Sequence, residues 1–135
     1  MKREIIKDLL KWKESSNRKP LIVHGARQVG KTYIIKQFGK ENYNNLIYVN
    51  FETNQEFSSQ ISEHIDAKYI INKLELFYGE KILPGKTLIF FDEIQANERA
   101  LTALKYFYED APEYHVIAAG SLLGVNMHPR KFFLV

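Results

Sequence analysis

The sequence predicts an α/β fold, a parallel sheet doubly wound by helices into three layers. Three observations predict it. Strand-like apolar runs alternate with helix-periodic segments along most of the chain. The short branched run Pro20-Leu21-Ile22-Val23-His24 leads straight into a glycine-bracketed loop and then into a helical pattern. Finally, Leu88-Ile89-Phe90-Phe91 is an unbroken apolar run, as expected of a central strand covered on both faces.

Residues 3–14 form an amphipathic helix on this reading, with Ile5, Ile6, Leu9, Leu10 and Trp12 as its apolar stripe. Residues 15–20 are a polar turn into the first strand. After the glycine loop, residues 31–38 are helical, with Ile34, Ile35 and Phe38 on one face and Gly39 as the stop. Residues 46–51 make a second strand, followed by a polar stretch. A helix over residues 66–78 carries Ile70, Ile71, Leu74 and Phe77. Leu83-Pro84-Gly85-Lys86 is a turn before the strand that ends at Asp92. A helix over residues 98–109 carries Leu101, Leu104, Phe107 and Tyr108, aromatics that read as core packing. Residues 114–119 are a fourth strand, ending at Gly120-Ser121. Right-handed crossovers gather the ends of parallel strands on one edge of the sheet.

Composition narrows the function classes. A chain of 135 residues holds one modest domain with a real core. The net charge of +3 is too weak to argue for nucleic acid as a partner. With no cysteine there are no disulfides and no thiolate metal sites. The four histidines, His24, His64, His115 and His128, lack zinc-site spacing, and no nucleophile elbow is present. The N-terminus lacks the apolar core of a signal peptide, and no run reaches the length of a membrane span. The expectation is a cytoplasmic protein with no membrane partner.

The chemistry lies in two motifs. Gly25-Ala26-Arg27-Gln28-Val29-Gly30-Lys31-Thr32 fits the phosphate-binding loop pattern G-x-x-x-x-G-K-S/T at every fixed position. Such a match arises by chance in roughly one chain in a hundred of this length, so the flanks decide. They read strand, loop, helix, the context in which a helix N-terminus offers free N–H groups and partial positive charge to a phosphate. Gly25 and Gly30 allow close phosphate approach, Lys31 reaches the β- and γ-phosphates, and Thr32 is a magnesium ligand. The predicted nucleotide-contacting set is Gly25, Ala26, Arg27, Gln28, Val29, Gly30, Lys31, Thr32 and Tyr33. Arg27 reads as a solvated arginine more readily than as a phosphate ligand, and His24 as a strand-edge residue.

The second motif is Asp92-Glu93, where the apolar run ends. Ligands of open α/β sheets bind outside the carboxyl ends of the strands, which brings Asp92 toward the loop from 60 residues away. Asp92 then holds magnesium directly or through water, and Glu93 orients and deprotonates a water attacking the γ-phosphorus. The plainer alternative for both is an acidic helix N-terminus. Ser121 ends the fourth strand, either as a contact to the γ-phosphate or the attacking water, or as a turn serine beside a glycine.

Together, residues 18–32, the segment Leu88-Ile89-Phe90-Phe91-Asp92-Glu93-Ile94-Gln95 and the segment Ala119-Gly120-Ser121-Leu122-Leu123-Gly124 resemble the AAA-type ATPases of bacteria and archaea with a nuclease-like C-terminal domain. The resemblance covers residues 1–124, an ATPase core, and leaves residues 125–135 as a divergent tail. It implies a P-loop NTPase fold in which the strand ending at Ser121 lies between the loop strand and the Asp92 strand. It also implies catalytic roles for Lys31, Glu93 and Ser121, with Thr32 and Asp92 as metal ligands and ATP and magnesium as cofactors. Gln95 belongs to the family's Asp-Glu-x-Gln signature without a firm role. Relatives continue through a fifth core strand, a helical lid and a further domain. This chain is therefore expected to be a truncated member with one sheet edge open, a hazard for self-association that residues 132–135 would cover. Neither Arg99 nor Arg130 sits in a recognisable arginine-finger context. The readings left open are magnesium-dependent ATP hydrolysis, nucleotide binding with little turnover, a P-loop kinase and, by analogy alone, a nucleic-acid role. The absence of an N-K-x-D motif and the resemblance both favour adenine.

Overall fold

The computed structural model describes residues 2–24, 29–120 and 133–134. The elements are α1 (Lys2–Glu14), β1 (Leu21–His24), α2 (Val29–Asn42), β2 (Asn45–Asn50), α3 (Gln55–Ile61), α4 (Ala67–Tyr78), β3 (Thr87–Asp92), a 3-10 turn (Ile94–Ala96), α5 (Glu98–Asp110), β4 (His115–Gly120) and β5 (Phe133–Leu134). The sheet is parallel throughout, in the order β2-β3-β4-β1-β5. The strand that ends at Gly120 thus lies between the loop strand and the Asp92 strand, as the resemblance implied.

Alternation along the strands builds the layers. Ile22, Ile89, Phe91, Val116 and Ala118 face one cluster, completed by α3, α4 and α5. Leu21, Val23, Leu88, Phe90, Ile117 and Ala119 face the other, completed by α1 and α2. All six residues of β3 and all six of β4 are buried, which explains their continuous apolar runs. Leu10 and Phe77, expected on apolar stripes, lie at the margins of the core, 39% and 37% exposed.

Two features differ from expectation. Gly39 does not stop α2, which continues to Asn42. Gly39 is instead buried where the helix approaches the sheet closely: a Cβ there would meet Leu46 Cδ1 and Leu88 Cδ2 at 3.0 Å each. The polar stretch after β2 contains α3, capped by the Asn54 side chain, which accepts the Phe57 N–H. Phe133 and Leu134, within the segment expected to cover the open edge, pair with Leu21 and Ile22 on the outer side of β1.

Candidate nucleotide and metal site

Lys31, Thr32 and Tyr33 lie in the first turns of α2, at the carboxyl end of β1. Gly30 also belongs to this turn, and a Cβ there would meet no atom within 4 Å. Tyr33 is 59% exposed, while Lys31 and Thr32 are half-buried. Gly25, Ala26, Arg27 and Gln28 lie outside the described residues, as do Ser121 and the side chains of His24 and Val29.

Asp92 ends β3 and is buried, 4% exposed. Thr32 Oγ1 donates to its Oδ2 at 3.1 Å, joining the two predicted metal ligands across the sheet. Two further donors hold the carboxylate. Tyr48 Oη donates to Oδ2 at 2.7 Å, and the Glu93 backbone N–H donates to Oδ1 at 2.9 Å. The expected positions of Thr32 and Asp92 follow from one rule, since β1 and β3 are parallel and end on the same edge.

Glu93 leaves the strand in the left-handed region, φ 51° and ψ 43°, as the one non-glycine residue of positive φ among those described. The acidic pair is therefore followed by a 3-10 turn, and the longer helix α5 starts only after Asn97. Within the described residues, Glu93 Oε1 and Gln95 Oε1 are buried without hydrogen-bond partners. The Gln95 amide oxygen lies against Gly120, where an added Cβ would collide with it. The Asp92-Glu93-Ile94-Gln95 turn is thus packed on the tip of β4.

Tyr48 was not foreseen in this site. Its ring packs edge-on against Phe90 at 5.2 Å, and Lys36 Nζ stands 3.8 Å from its centroid. Burial, and then the hydrogen bond to Asp92, push the phenol's pKa well above its ordinary value of 10.0, so it remains a donor. An aromatic in a strand reads as packing; only its register two residues before the Asn50–Asp92 pair hints at more.

The donor set suits a hard divalent cation. Thr32 and Asp92 offer hydroxyl and carboxylate oxygens, the ligand type magnesium prefers. Their 3.1 Å separation is close to the ~3 Å between adjacent ligands of an octahedral ion with bonds of about 2.1 Å. Among the described residues no three histidines or carboxylates cluster as ligands, so an ion here would also draw on phosphates and water.

The parallel order, the helix following β1 and the Thr32–Asp92 contact define a P-loop NTPase fold. The chain belongs to the AAA domain family, which it matches over residues 17–131. A solved structure titled "Structure of C. elegans PCH-2" shares the fold, with a TM-score of 0.58 and 12% identity over 99% of this chain. This chain covers 41% of that one. No curated protein matches in sequence. The family supports nucleotide binding by an AAA-type ATPase. No helix among the described residues is long and apolar enough to cross a membrane.

Proposed function

We propose that the chain binds ATP with magnesium at the carboxyl ends of β1 and β3 and hydrolyses it to ADP and phosphate. The observation that carries this reading is the Thr32–Asp92 hydrogen bond, which unites the loop's hydroxyl with the strand-end carboxylate. Lys31, next to Thr32 at the start of α2, binds the β- and γ-phosphates. Residues 25–32 supply the backbone N–H groups around them. Thr32 and Asp92 would hold magnesium, which when bound supplies positive charge to the phosphate oxygens.

Glu93 is the base in this reading. Its carboxylate takes a proton from water as the water oxygen bonds to the γ-phosphorus, and the bond to the β–γ bridging oxygen breaks to release ADP. Among the described residues the buried Glu93 Oε1 has no hydrogen-bond partner, which supports its use as the acceptor for that water. By the family resemblance, Ser121 serves as the polar sensor residue in this reading. The wider likeness to bacterial and archaeal ATPases with a nuclease-like domain rests on the sequence motifs, as does the division at residue 124.

Binding of a fluorescent ATP analogue and phosphate release, with and without magnesium, test the reading. Lys31→Ala is expected to abolish binding, and Glu93→Gln to bind normally while phosphate release falls by a factor of about 10²–10⁴. Equal release by Glu93→Gln and the unaltered chain would remove Glu93 as base. Binding without release in the unaltered chain would leave a nucleotide-binding module.

A further inference from the structure

The second donor to Asp92 has a role of its own. Asp92 Oδ2 has two acceptor positions; Thr32 Oγ1 takes one at 3.1 Å and Tyr48 Oη the other at 2.7 Å. Oδ1 is already held by the Glu93 N–H. The two donors to Oδ2 differ in what they can become. A threonine hydroxyl turns about its C–O bond and can offer a lone pair to a cation. The Tyr48 phenol is seated edge-on against Phe90, beneath Lys36 Nζ, and its backbone carbonyl accepts from Tyr78 Oη at 3.0 Å. It is fixed as a donor.

We propose that Tyr48 is a positioning residue for the divalent cation: its phenol holds the Asp92 carboxylate so that Oδ2 faces Thr32 and the first turn of α2. This rests on the magnesium–ATP site proposed above. Thr32 and Lys36 are one turn apart on α2, so the same helix presents the ligand hydroxyl to Asp92 and the ammonium to the Tyr48 ring. Residues that orient a metal ligand from behind typically change metal affinity by a factor of about 10–100 when removed.

The test is Tyr48→Phe, which keeps the ring, its Phe90 edge contact and the cation above it while deleting the hydroxyl. Fluorescent ATP-analogue binding is titrated with magnesium at fixed nucleotide, and repeated in excess chelator. The magnesium concentration for half-maximal enhancement is expected to rise about 10–100-fold, with chelator-state affinity and melting temperature close to those of the unaltered chain. An unchanged magnesium requirement overturns the inference and leaves the nucleotide site standing. Equal loss of binding with and without magnesium, or a collapsed melting transition, also overturns it, because Tyr48 then acts through the fold. If the unaltered chain binds nucleotide with no magnesium dependence, this inference and the magnesium reading fall together.

Discussion

Asp92 and Glu93 are consecutive, yet the Glu93 N–H closes onto Asp92 Oδ1 at 2.9 Å while Glu93 itself takes a left-handed backbone, φ 51°. Such a conformation costs about 1–3 kcal/mol in a residue with a Cβ. A buried carboxylate oxygen with no partner among the described residues adds to that cost. Glu93→Asn substitutes a residue that tolerates this backbone region and shortens the buried acid. Urea unfolding is expected to show a gain of about 0.5–1 kcal/mol, with phosphate release down at least ~100-fold. A lower urea midpoint would show that Glu93 is not strained.

Asn97 joins two helices through one side chain. Its Oδ1 accepts the Ala100 N–H at 3.1 Å and caps α5, while Nδ2 donates to Ser58 O at 3.0 Å and Ser58 Oγ at 2.7 Å in α3. The residue is 6% exposed, so its loss strands buried partners. Asn97→Ala is expected to cost about 2–3 kcal/mol in urea unfolding, the sum of a cap and an unsatisfied buried pair. Asn97→Ser keeps a cap and should lose about half as much; equal losses would assign the whole effect to the link to α3.

Sequence patterns exposed the elements whose chemistry is local. β1, β3 and β4 were legible because burial on both faces leaves uninterrupted apolar runs. Thr32 and Asp92 were legible as partners because parallel strands end together. α3 was not, since only Phe57, Ser58 and Ile61 of its seven residues point inward, too few to establish a period. Gly39 misled because a helix-ending glycine and one admitting a neighbouring strand look alike in sequence. Tyr48 was hidden for a related reason: its ring packs like any strand aromatic, and only its hydroxyl serves Asp92. The β4 position between β1 and β3 came from the family resemblance, since strand order has no local signature.

Gly39→Ala sets two effects against each other. Alanine gains about 1 kcal/mol of helix propensity over glycine. Its Cβ would sit 3.0 Å from Leu46 Cδ1 and Leu88 Cδ2, and overpacking costs about 1–3 kcal/mol. Leu46 is half-buried near the start of edge strand β2 and can yield; Leu88 is fully buried in β3 and cannot. The expected result is a net loss of about 1 kcal/mol in urea unfolding. A net gain would mean that α2 can slide outward without penalty.

At the opposite end of the sheet from Asp92, His115 begins β4 with 5% exposure and shares a 2.6 Å hydrogen bond between its Nδ1 and the Tyr43 hydroxyl. Trp12 packs edge-on at 5.6 Å. Burial first, then the positive charges of Arg18 and Lys13, lower its pKa from 6.5 to about 4. Between those values the unfolded chain binds a proton that the folded chain refuses, so stability rises with pH across the interval. The contribution from neutral His115 is complete above pH 6.5 and is lost as the pH falls toward 4. After allowance for solvent screening, the loss is on the order of 1–2 kcal/mol. His115→Gln keeps a polar partner for Tyr43 and removes the titration. Urea unfolding of both chains at half-unit pH steps should therefore show curves that converge on acidification, with the unaltered chain losing more. Parallel curves would mean that His115 accepts its proton in the folded state as readily as in the unfolded one.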